Sequence, residues 1–131
     1  RLKPIQVKTF VLQNIYFATG KTTILTSSKP SLDLLYELLK ETPQLVIRII
    51  GHSDDVGSDA VNMKLSQGRA NSVKRAMVKR GISSNRIQVL GKGESDPVVA
   101  NDSEEHRQMN RRVEIEIISG AEDIKIEHIL Q

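Results

Sequence analysis

The sequence contains no cysteine and no tryptophan, and only two tyrosines and two phenylalanines among 131 residues. Without cysteine there is no disulfide, no thiol nucleophile and no Cys-ligated zinc; such a chain suits an oxidising compartment without requiring one. So few aromatic rings leave little on which single-stranded nucleic acid can stack. No apolar run approaches the roughly 20 residues of a membrane-spanning helix, and no charged-then-apolar leader opens the chain, so direct membrane insertion by this domain is not expected. The first residue is Arg1 rather than Met, which reads as a fragment with any leader or anchor lying upstream.

What is present has the balance of a folded protein: 38% apolar and 27% charged residues, with Leu, Ile and Val gathered into periodic segments. The length predicts a single domain over 1–131, with a core from about 11 to 118 and an extension at 119–131 that pattern alone does not assign to strand, helix or linker. The net charge of +3 is mild, yet residues 60–93 hold eight basic side chains and no Asp or Glu. That stretch favours anionic ligands.

Phe10 to Ala18 (FVLQNIYFA) predicts a first strand ending at Thr19-Gly20. Leu32, Leu35 and Leu39 recur at helical spacing between Pro30 and Lys40, and Pro43 follows the end. Leu45 to Ile50 (LVIRII) reads as an interior strand covered on both faces. After the polar turn GHSDDVG, Ser58 or Asp59 caps a long helix that runs to Arg80 and stops at Gly81. Arg86 to Leu90 is a short strand, Ser103 to Met109 a short helix with acids at its positive end, and Val113, Ile115 and Ile117 alternate as a half-buried strand. There is no internal repeat. The resulting order, β-α-β-α-β-(α)-β, predicts an α/β (α+β) sandwich in which two main helices pack on one face of a small mixed sheet.

One charge falls where it does not belong. Stepping 100° per residue from Val61 gathers Leu65, Val73, Ala76 and Met77 into one sector and leaves Lys64, Lys74, Arg75 and Lys79 outside it. Arg69 lands near the middle of that sector, and Asn62 points almost the same way. Desolvating an unpaired guanidinium costs several kcal/mol, so Arg69 requires an anion. Either a carboxylate at the end of the preceding strand pairs with it, or it reaches a pocket rim and holds a ligand carboxylate bidentately. Asp54, in the turn leading into the helix, would border the same cleft. A carboxylate beside a guanidinium matches the ammonium and carboxylate of an amino-acid head group.

GHSDDVG at 51–57, NMKLSQGRANSV at 62–73, GI at 81–82, GKGESDP at 91–97 and NRRVEI at 110–115 resemble, in order and spacing, the OmpA-like peptidoglycan-binding domain of OmpA C-terminal regions, Pal lipoproteins and MotB proteins. The resemblance covers about Val11 to Ile118. It implies noncatalytic binding of the peptidoglycan stem peptide at diaminopimelate, in the periplasm of a Gram-negative cell, tethering an outer-membrane or envelope protein to the wall. By the same resemblance, Asp54 takes the diaminopimelate ammonium, Arg69 takes its carboxylate, and Asn62 and Arg111 support them. Ser53 stands where the family usually has Thr and keeps the hydroxyl. Arg112 faces elsewhere. Many relatives have Asp after the Phe of the first strand, where this chain has Phe17-Ala18-Thr19, a change read as affecting turn packing rather than ligand choice. The alternative is a protein-interaction module of an envelope complex with little wall binding; oligomers would form through the parent protein.

Other chemistries fit less well. Gly20-Lys21-Thr22 lacks the Gly at 15 that a phosphate-binding loop requires. Asp54, Asp55 and Asp59 lack calcium-loop spacing and read as solvated acids. His52, His106 and His128 form no H-E-x-x-H and read as ordinary surface or turn histidines. His52 beside Asp54 is the one acid-base pair that would suit catalysis. The basic residues from Lys64 to Lys92 read as a solvated face rather than a nucleic-acid surface. No catalytic residue, metal or cofactor is expected.

Overall fold

The computed structural model describes residues 9–12, 15–17 and 20–120. The elements run β1 (Thr9–Leu12), α1 (Lys29–Glu41), β2 (Val46–Gly51), α2 (Asp59–Lys79), β3 (Ile87–Gly91), α3 (Glu104–Asn110) and β4 (Val113–Ser119), with 3-10 turns at Thr26–Ser28 and Ser84–Arg86. Among the described residues the strands form one mixed sheet in the order β1-β4-β2-β3. β2 and β3 are parallel, and β4 runs antiparallel to both β1 and β2. This is the α/β order that the sequence predicts.

Pro30 sits in the first turn of α1, where its missing N–H is not needed and its fixed φ suits the helix. Leu35 and Leu39 turn inward and are fully buried, whereas Leu34 stays on the outer surface. The carbonyls at the far end of α1 are closed by a side chain distant in sequence. Arg86 donates Nη2 to Leu39 O (2.8 Å) and Thr42 O (2.7 Å), and Nε to Leu45 O (3.0 Å). These charge-assisted bonds satisfy acceptors that a helix end leaves open, so Arg86→Ala is expected to cost about 2 kcal/mol in urea unfolding. An unchanged midpoint would show that water replaces the guanidinium without loss.

In α2, the Ser58 hydroxyl accepts from Val61 N at 3.2 Å, and the helix closes with Gly81 N donating to Val78 O and Ile82 N to Met77 O. Its middle lies directly on the ends of the parallel strands. A Cβ on Gly51 would stand 2.1 Å from the Ser66 carbonyl oxygen, and one on Gly91 2.5 Å from Gln67 N. Gly91 N donates to Gln67 Oε1 (2.6 Å) and Gly93 N to Ser66 Oγ (2.9 Å). The loop after β2 therefore emerges beside the first half of α2. Ala70, Val73 and Met77 of this helix join Leu35 and Leu39 of α1 against Leu12, Ile47, Ile49, Ile87, Val113 and Ile115 of the sheet, so both main helices cover one face.

Two expectations are corrected. β2 lies inside the sheet but is not sheltered on both faces. On the face away from the helices, Arg48 Nη1 donates to Glu116 Oε1 at 2.7 Å, with both side chains about one-third exposed (35% and 32%). Secondly, β1 ends at Leu12 rather than running to Ala18. Beyond it Tyr16 is held by Ser28, whose hydroxyl accepts from Tyr16 N (2.7 Å) and donates to Tyr16 O (3.2 Å), and Phe17 makes an isolated bridge to Ile24. Ile15 and Phe17 pack toward the core instead of extending the sheet. Gln13, Asn14, the Ala18-Thr19 turn and the tail from 121, including His128, lie outside the described residues.

Candidate ligand-binding site

A cleft of about 1000 Å³ opens where the loop after β2, the first half of α2, α3, the start of β4 and the segment around Phe17 meet. Ser53, Asp54, Asn62, Arg69 and Arg111 all line it. Five residues spread over 59 positions of sequence thus converge because β2, α2 and β4 are neighbours at one end of the sheet.

Arg69 is 7% exposed. Its Nε donates to Lys21 O at 3.0 Å, and its guanidinium carbon lies 4.9 Å from the centre of the Phe17 ring. Among the described residues no carboxylate forms an ion pair with it. Burial works against its charge, the like charge of Arg111 adds to that, and Asp54 partly offsets both. A guanidinium nevertheless stays protonated. Of the two ways to satisfy this arginine, an internal ion pair is not the one found among the described residues: Phe17 and a carbonyl hold the base of the fork, and no described carboxylate pairs with its terminal nitrogens.

Asp54, 8% exposed, is fixed at both oxygens. Oδ1 accepts from Val56 N at 2.9 Å and Oδ2 from Arg111 Nη1 at 2.5 Å. Ser53 and Asn62 support the loop instead of reaching outward. The Ser53 hydroxyl donates to Asp54 O (2.9 Å), and Asn62 Nδ2 donates to the same carbonyl (3.2 Å). Arg111 continues to Glu104, with Nη2 to Oε2 at 2.8 Å. That bond comes first among the causes that raise the arginine above its ordinary value; burial opposes it and Asp54 adds to it. Glu104, with its carboxyl correspondingly lowered, was legible in sequence only as an acid suited to a helix start. Phe17 and Lys21 were not legible as neighbours of Arg69, because an isolated ring and a backbone carbonyl leave no spacing signal.

The helical wheel placed Arg69 and Asn62 on the inward face, where both are buried. Val61, from which the wheel is stepped, is 60% exposed and forms part of the cleft wall beside Leu65. Arg112 turns away from Asp54, its Nε donating to Glu114 Oε2 (3.0 Å) and Nη2 to Asp96 O (2.9 Å).

His52 is not a surface histidine: it is 2% exposed, with Nε2 2.8 Å from Glu114 Oε1 and, among the described residues, no hydrogen-bond partner at Nδ1. It pairs with Glu114 while Asp54 pairs with Arg111, so the two do not form an acid-base dyad. Burial holds the imidazole below its ordinary value, against the pull of Glu114. The unfolded chain therefore takes up a proton near the ordinary histidine value that the folded protein accepts only at lower pH. Stability should fall as pH drops from above about 6.5 through this window, and the dependence should flatten in His52→Gln. Urea midpoints measured across the window check this; equal slopes in both proteins would contradict it.

Comparison with known proteins agrees with this architecture. The OmpA family model matches residues 16–111. The chain belongs to the OmpA family. An outer membrane protein A of Bordetella avium is 37% identical over 117 residues, covering 89% of this chain and 60% of that protein, so the chain spans less than two-thirds of that relative. Among solved structures, a putative MotB-like protein of Desulfovibrio vulgaris superposes with a TM-score of 0.73 at 31% identity, over 83% of this chain and 72% of that one. The peptidoglycan-associated lipoprotein of Burkholderia pseudomallei gives 0.73 at 25% identity, over 85% and 90%. Among the described residues of this OmpA-family chain, no helix is long and apolar enough to cross a membrane.

Proposed function

We propose that this OmpA-family domain binds the peptide stem of peptidoglycan noncovalently, reading the free ammonium and carboxylate of diaminopimelate, and so anchors an envelope protein to the wall from the periplasmic side of the outer membrane. The observation that carries this reading is Arg69: a buried guanidinium, stacked on Phe17 and bonded at Nε, that lines the cleft without an ion-pair partner among the described residues. A fork held in that way is prepared for a planar anion. Asp54 on the same cleft supplies the complementary charge for an ammonium, and a ligand lacking either group would leave one of the two unpaired. The peptidoglycan-associated name of a relative that matches 85% of this chain supports the wall as the source of that head group.

The reading is one of binding without bond cleavage. Both oxygens of Asp54 are already engaged, by Arg111 and by Val56 N, an arrangement that suits charge recognition better than proton transfer to a leaving group. The domain should sediment with insoluble peptidoglycan, free diaminopimelate should release it, and mass spectrometry of the supernatant should find no new wall fragments. A domain that stays in the supernatant would favour the protein-interaction alternative. A fragment ladder lost in Asp54→Ala would replace binding with hydrolysis.

A further inference from the structure

The cleft already holds a cation on its own carboxylate. Arg111 Nη1 lies 2.5 Å from Asp54 Oδ2, the position that the reading above gives to the ligand's ammonium. Asp54 has an 11% exposed side chain and needs a counter-charge when the cleft is empty; Arg111 supplies it. An incoming ammonium must then share Asp54 with Arg111 or displace it. Displacement alone would strand a guanidinium that is only 30% exposed. The second end of the same fork is already bonded to Glu104, 2.8 Å away and 74% exposed at the first turn of α3.

The division between the two arginines is visible in their partners. Both terminal nitrogens of Arg111 are committed to carboxylates, whereas among the described residues Arg69 is bonded only through Nε. Arg69 is free to meet a ligand carboxylate; Arg111 is not, unless it first gives up an ion pair.

We propose that Arg111 is an internal stand-in for the ligand's ammonium, and that Glu104 is a positioning residue that takes up Arg111 when the ligand reaches Asp54. This rests on the wall-binding reading above and adds a determinant of affinity to it. Glu104 lowers the cost of exchange by offering Arg111 a carboxylate at the cleft rim. With that acceptor gone, Arg111 holds Asp54 more tightly against the ligand. The effect is confined to ligands that bring an ammonium, because one without it leaves the Asp54–Arg111 pair in place.

Calorimetry with two stem tripeptides tests this. One ends in diaminopimelate, and the other carries hydrogen in place of the distal ammonium. Glu104→Gln keeps the size and exposure of the side chain. It is expected to weaken binding of the diaminopimelate tripeptide about five- to tenfold, to leave the ammonium-free tripeptide unchanged, and to have no effect in an Arg111→Gln background. A gain in affinity would mean that Arg111 contacts the ligand carboxylate instead, and would overturn the proposal. So would an equal loss for both tripeptides, no loss for either, or the same loss in the Arg111→Gln background. Should Arg111→Gln fail to fold, the comparison of the two tripeptides on Glu104→Gln alone decides. A wild-type protein that binds neither tripeptide overturns the wall-binding reading itself, before any variant is made.

Discussion

Arg69→Ala is expected to abolish sedimentation with insoluble peptidoglycan while leaving a folded domain. In the proposed complex the ligand carboxylate meets a fork whose other end is already fixed by Lys21 O and the Phe17 ring. Losing such a desolvated, charge-assisted contact costs about 2–5 kcal/mol, or roughly 30-fold to several-thousand-fold in affinity. Stability moves less, because opposing effects are removed together. The bond to Lys21 O and the ring contact are lost, but so is a guanidinium whose charge burial and Arg111 both disfavour. Arg69→Lys separates charge from shape. It keeps the cation without the planar fork, and should bind better than alanine yet well below wild type. An Arg69→Ala protein that is folded by circular dichroism and sediments like its parent would remove Arg69 from the site.

The second large effect concerns the ligand. Replacing diaminopimelate by lysine in the stem tripeptide deletes the distal carboxylate and keeps the ammonium. Arg69 then lacks its anion, and affinity should fall about 100-fold, in line with stranding a charged partner in a half-closed site. The same replacement should make little further difference to Arg69→Ala, which has already lost the group that reads the carboxylate. This thermodynamic cycle distinguishes recognition by Arg69 from a general preference for diaminopimelate. Equal affinities of the wild type for both peptides would mean that the carboxylate is not read.

Much of this was legible in the sequence, for reasons that differ by residue. α1 and α2 followed from leucine spacing, Pro30, the Ser58 cap and Gly81, which are local signals. The anomaly at Arg69 was legible because a helix projects its residues at fixed angles, so a charge in an apolar sector can be seen without knowing what surrounds it. Its satisfaction was not, since Phe17 and the Lys21 carbonyl come from a segment some 50 residues away that spacing cannot bring into register. The Asp54–Arg111 pair spans 57 residues and depends on β4 lying next to β2, so sequence offered Arg111 only through family resemblance. His52 was misjudged for a related reason. It follows the last residue of β2, and its burial comes from cross-strand packing with Glu114 rather than from anything in the polar turn around it. The first strand was drawn too long because FVLQNIYFA has β composition throughout, while Tyr16 and Phe17 are held by Ser28 and Ile24 instead of a neighbouring strand.

The central claim is that one cleft reads both charges of a diaminopimelate head group. A crystal structure of the domain with the stem tripeptide ending in diaminopimelate tests it most directly. The account predicts the distal carboxylate within hydrogen-bonding distance of the Arg69 terminal nitrogens, the ammonium on Asp54, and the Phe17 ring still beneath the guanidinium. A peptide bound elsewhere on the domain, or one seated in this cleft with its carboxylate turned away from Arg69, would contradict it.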